Sequence, residues 1–60
     1  MTELIGKRVA LHPHLDAWMR GDRYGVVEIY RRRTQSYGVR LDVSGKLIFL
    51  HQVRDFEVVE

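Results

Sequence analysis

The sequence predicts an all-β fold, a five-stranded barrel forming one domain over residues 1–60, and three observations carry that prediction. Gly21 and Gly25 feed straight into the alternating Val27 and Ile29, as where a chain bends into a strongly curved strand. Short alternating apolar segments recur along the whole chain, separated by turn residues. A chain this short hides only about 60% of the surface that its unfolded form exposes, so its core is minimal and association with other subunits is favoured.

The elements follow in order. Residues 7–12 alternate, with Val9 and Leu11 on one side and Arg8, Ala10 and His12 on the other, which makes a first strand with one buried face. Residues 12–22 hold the only proline, two histidines, Asp16, Trp18 and Gly21 without alternation, and read as one long excursion. Residues 24–31 and 35–42 are the second and third strands, joined at Arg32, Arg33 and Thr34, with Val27, Ile29, Val39 and Leu41 facing inward. After Asp42, Val43 and Ser44, Gly45 supplies the positive φ of a tight hairpin, and a fourth strand occupies residues 46–50. Residues 51–55 have room for one turn of 3₁₀ helix. Phe56 and Val58 then alternate with Glu57 and Val59 in a fifth, closing strand. Residues 1–5 either fold against the barrel or fray.

Composition narrows the setting. Cysteine is absent, which removes disulfide and thiolate-metal staples and fits a reducing, cytoplasmic compartment. No apolar run approaches the roughly 18 residues that cross a bilayer, and Met1, Thr2, Glu3 and Leu4 do not open a secretion signal, so no membrane partner is expected. The formal net charge is only +2, yet eight of the ten basic residues are arginine, whose planar fork grips phosphate and carboxylate in pairs. Residues 7–33 carry seven basic and three acidic side chains, whereas residues 54–60 carry one and three, so the surface is expected to be polarised.

On Gly6, Val9, Gly21, Gly25, Val27, Ile29, Val39, Leu41, Gly45 and Val53, the chain resembles a KOW-type SH3-like domain. The resemblance implies an SH3-like barrel with a long first loop and a 3₁₀ turn before the last strand. It also brings to mind the settings of that domain, transcription elongation factors and ribosomal proteins. The stretch from His12 to Arg20 is longer and more decorated than a simple KOW loop. A weaker similarity, at Gly6 to Val9 and at Trp18, is to the plasmid-encoded type II dihydrofolate reductases. Those enzymes build their pore from a Val-Gln-Ile-Tyr run. Here Leu47, Ile48, Phe49 and Leu50 offer no amide for a pteridine or nicotinamide, so that catalysis is not expected.

Arg31, Arg32 and Arg33, with Arg40 on the following strand and Tyr30 and Tyr37 alongside, form a candidate contact for RNA or DNA, the cations meeting phosphates while a tyrosine stacks on a base. The plain alternative is a solvated loop kept soluble by charge. Leu47 to Leu50 is apolar on both faces. With Leu47 and Phe49 inside, Ile48 and Leu50 point outward beside Val26, an apolar face that a second copy or another protein would cover. The expected function is therefore a non-catalytic nucleic-acid-binding module, with a homo-oligomeric or protein-interaction module as the alternative.

Other motifs carry less. His12, His14 and Asp16 match the start of a His-x-His-x-Asp metallo-hydrolase signature, but only His51 remains as a further imidazole, so they read as loop residues and no metal is expected. Trp18 is either a lid on one barrel end or a binding platform, and Tyr24 joins it in either case. Arg20, Gly21 and Asp22 spell an integrin-binding tripeptide in a chain with no secretion signal, and that meaning is set aside. No nucleophile-base set or carboxylate pair with a shared pocket emerges, so neither enzyme activity nor a cofactor is expected.

Overall fold

The computed structural model describes residues 3–59. It is all-β apart from one helical turn: β1 (Arg8–Leu11), α1 (Asp16–Met19), β2 (Tyr24–Arg31), β3 (Ser36–Leu41), β4 (Leu47–Leu50) and β5 (Phe56–Val58). The strands form one antiparallel sheet in the order β4-β3-β2-β1-β5, a meander whose last strand returns beside its first. Around the outer strands, the described residues add an isolated parallel bridge between Gln52 and Phe56.

The inner face of this curled sheet holds Val9, Leu11, Val27, Val39, Leu41, Leu50 and Phe56, all buried. Leu4, Leu15, Ala17, Trp18, Tyr37, Ile48 and Val58 pack around them. Leu4 thus folds against the core while Ile5 stays 40% exposed. Met1 and Thr2, also expected to fold or fray, lie outside the described residues. Gly25 is a glycine because strands two and three press together there: a Cβ would stand 2.6 Å from Val39 Cγ1 and 2.7 Å from the Arg40 carbonyl oxygen. Gly45 has φ +76°, the left-handed turn conformation expected of it.

Four expectations are corrected. The excursion at residues 12–22 contains α1, a single turn too short for a periodic apolar signal. Ile29 is 45% exposed rather than interior, because the register shifts between Val27 and Ile29 and the bulge turns its side chain outward opposite Gly38. On β4 the parity is the reverse of the expected one. The β3 to β4 turn sets Leu47 opposite Arg40 and Ile48 opposite Val39, so Ile48 and Leu50 join the core and Leu47 and Phe49 face outward. Finally, residues 53–55 form a non-helical turn, with Val53 at φ 72° and the Val53 N–H bonded to the Phe56 carbonyl at 3.0 Å.

Two buried carboxylates, which no local pattern singled out, fasten the loops. Asp22 Oδ1 accepts the backbone N–H groups of Val43 (3.0 Å) and Ser44 (2.9 Å), tying the end of the excursion to the β3 to β4 turn. The Ser44 N–H holds the Asp22 carboxyl below the usual carboxylate range. Asp55 accepts the His51 N–H at 2.9 Å, His14 Nε2 at 3.0 Å and the Arg54 guanidinium at 3.3 Å. Burial pushes the Asp55 carboxyl upward, but those donors more than offset it and bring it to about 2. His12 Nδ1 meets the Arg54 carbonyl at 3.0 Å, so both histidines of the first loop are structural anchors.

Candidate nucleic-acid interface

Strands β2 and β3 end at the pair Arg31 and Ser36, and residues 32–35 turn between them. The turn is closed by a 2.7 Å hydroxyl contact between Thr34 and Ser36. Gln35 lies at φ 55°, in the left-handed region. This geometry projects a continuous basic tip. Arg32 and Arg33 are exposed and have no ion-pair partner among the described residues. Arg31 lies flat over the Phe49 ring, 3.9 Å from its centroid, which steadies the guanidinium without neutralising it.

Arg40 does not belong to this tip. By the β3 register it sits four residues from Ser36, about 13 Å along the strand. Its Nε and one Nη donate to both oxygens of Glu28, at 3.1 and 3.0 Å, and its other Nη donates to the Gly45 carbonyl at 3.0 Å. The paired hydrogen bonds hold the Glu28 carboxyl below its ordinary range and raise the Arg40 guanidinium above its own. The structure thus places Arg40 in a cross-strand brace, apart from the tip with which the sequence groups it.

Tyr30 and Tyr37 face each other across the ladder on the inner side, with ring centroids 4.7 Å apart. Tyr37 also meets Phe56 edge-on at 5.9 Å. Burial, then Tyr30 and Glu3, push its phenol up. Tyr37 is thus the wall between core and surface, whereas Tyr30 is half-buried beside the tip. A cavity of about 330 Å³ opens at this end of the sheet, lined by Tyr30, Gln35, Tyr37, His51 and Gln52. Sequence reading flagged the two tyrosines but missed both glutamines, which meet only when the end of β4 comes alongside β3.

Two further arginines, Arg8 and Arg23, are engaged in structure. Arg8 pairs with Asp42 at 2.9 Å and lies 5.0 Å from the Tyr24 ring centroid. Arg23 covers the Trp18 ring at 3.7 Å. Trp18 itself packs on the core, as a lid does, and Tyr24 stands with Arg8 instead of joining it.

The outer face of β2, β3 and β4 carries Val26, half-buried, with exposed Ile29 and Leu47 and half-buried Phe49 packed over the buried Gly38. Of the three residues expected there, Val26 remains, while Ile48 and Leu50 lie on the core side. A second cavity, about 300 Å³, separates α1 from the β3 to β4 turn and has Leu15, Ala17, Leu41 and Ile48 among its lining. Among the described residues, no group of three metal-binding side chains occurs and no helix is long and apolar enough to cross a membrane. Comparison with protein families, curated proteins and solved structures finds no match to this chain.

Proposed function

We propose that this chain is a non-catalytic, KOW-like SH3-type small barrel that binds RNA or DNA through the β2 to β3 tip. One observation carries the reading: Arg31 at the end of β2 and Arg32 and Arg33 in the turn beyond it are adjacent and exposed, with no carboxylate paired to any of them among the described residues. Most of the chain's other arginines, Arg8, Arg40 and Arg54, are paired with carboxylates, whereas the tip sets three consecutive cations open to a phosphate. The barrel reading is supported by β5 returning beside β1 and by the register shift between Val27 and Ile29, which bends β2. The lack of cysteine supports a reducing, cytoplasmic setting.

The test is fluorescence anisotropy with labelled oligonucleotides across a salt series. Binding that weakens steeply with salt, and is lost in an Arg31→Ala/Arg32→Ala/Arg33→Ala variant, supports the reading. A variant that binds as the parent does removes it.

The outer apolar face favours a second reading, assembly with another copy or another protein. Ile29 is 45% and Leu47 37% exposed on a sheet whose β4 edge is unpaired among the described residues. Sedimentation discriminates here. A dimer that Leu47→Glu dissociates supports assembly with a second copy, and a monomer at high concentration removes that partner.

A further inference from the structure

The cavity beside the arginine tip has the composition of a base pocket rather than of a core defect. Its volume, about 330 Å³, lies at the low end of the roughly 300–1,000 Å³ typical of small-molecule sites. Two aromatic walls, Tyr30 and Tyr37, stand at its back. Three polar side chains from two segments, Gln35 from the β2 to β3 turn and the adjacent His51 and Gln52 after β4, converge on it. None of these three side chains hydrogen-bonds to the described residues. Elsewhere the same segments use their polar groups, Arg54 on Asp55 and Thr34 on Ser36.

Backbone strain frames the site on both sides. Gln35 holds φ 55° and Val53, next to Gln52, holds φ 72°. The left-handed region is uncommon for a residue with a side chain and exceptional for a β-branched one. Each strained residue lies at or beside a glutamine that lines the cavity.

A side-chain amide offers a donor and an acceptor side by side, the pattern that meets the edge of a base. Tyrosine faces stack on any base. The base must be free of its partner strand, because a duplex keeps its rings inside the stack.

We propose that this cavity receives one unpaired nucleobase, stacked on Tyr30 and hydrogen-bonded by Gln35, Gln52 and His51, while Arg31 to Arg33 hold the flanking phosphates. The ligand class is then single-stranded nucleic acid. This rests on the phosphate-binding reading of the tip and deepens it.

The experiment compares a labelled 12-nucleotide single strand with a 12-base-pair duplex of the same sequence, on the parent, a Gln35→Ala/Gln52→Ala variant and a Tyr30→Leu variant. Both glutamines are exposed, so the double variant keeps its core, and a thermal melt checks this for each protein. The parent is expected to prefer the single strand at least about tenfold, a difference of about 1.4 kcal/mol. Both variants are expected to lose that preference while retaining salt-dependent duplex binding. Equal affinity for strand and duplex, or variants that keep the preference, would overturn the base pocket and leave the arginine tip standing. Failure of the parent to bind either oligonucleotide would overturn both.

Discussion

The two turns that flank β3 both carry polar side chains but put them to opposite uses. At the β3 to β4 turn, Asp42 pairs with Arg8, the N–H groups of Val43 and Ser44 are held by Asp22, Ser44 Oγ accepts the Lys46 N–H at 3.3 Å, and the Gly45 carbonyl accepts Arg40. Polar groups there are committed to holding the chain. At the β2 to β3 turn only the Thr34 and Ser36 hydroxyls engage each other, while Arg32, Arg33 and Gln35 point outward with no side-chain partner among the described residues. One turn is a structural clasp and the other is a surface available to a ligand. A basic side chain alone does not separate them, since Lys46 stands in one and Arg32 and Arg33 in the other. What separates them is whether a carboxylate stands within reach.

Removing charge from the tip should cost no stability, and removing the clasp should cost stability without touching the tip. The largest expected effect is on binding. The Arg31→Ala/Arg32→Ala/Arg33→Ala variant should lose at least about tenfold in oligonucleotide affinity at low salt, by anisotropy, with its melting temperature little changed. Next comes the second clasp, at Asp55. Its carboxyl, at about 2 against an ordinary 3.8, lies lower in the folded chain than in the unfolded one. That difference stabilises the fold fully above pH 4, by about 2 kcal/mol, and is lost as pH falls toward 2. Asp55→Asn should therefore lower the melting temperature at neutral pH by about 10 °C and flatten its decline between pH 4 and 2. Melts recorded across that pH range check both.

Smaller effects sharpen the contrast. Glu28→Gln removes the carboxylate that holds Arg40. It should raise oligonucleotide affinity about two- to threefold and steepen the salt dependence, with a melting shift of only a few degrees. A fall in affinity would show that the pair shapes the tip in some other way. Gly45→Ala, forced to φ +76°, should cost about 1 kcal/mol, read in urea, and leave binding unchanged.

The sequence was informative where side chains alternate and silent where they do not. Val9 and Leu11 in β1, and Val27, Val39 and Leu41 in β2 and β3, take the inward positions that their spacing requires. β4 has no polar residue to mark a face, so its parity is decided by the length of the turn before it, and the turn puts Leu50 inside. Ile29 follows the period and still faces out, because a one-residue bulge is a property of two paired strands and leaves no mark on either alone. The arginine tip was legible because its members are adjacent in the chain. The cavity was not, because Gln35 and Gln52 come from turns that only the sheet brings together. Arg40 looked like a member of the tip until its register set it beside Glu28.

The most direct measurement of the central claim is the slope of log affinity against log salt for a single-stranded oligonucleotide, parent against the triple arginine variant. Three phosphate contacts predict a slope of about −2 in the parent and one close to zero in the variant. Equal slopes for the two proteins would contradict the account.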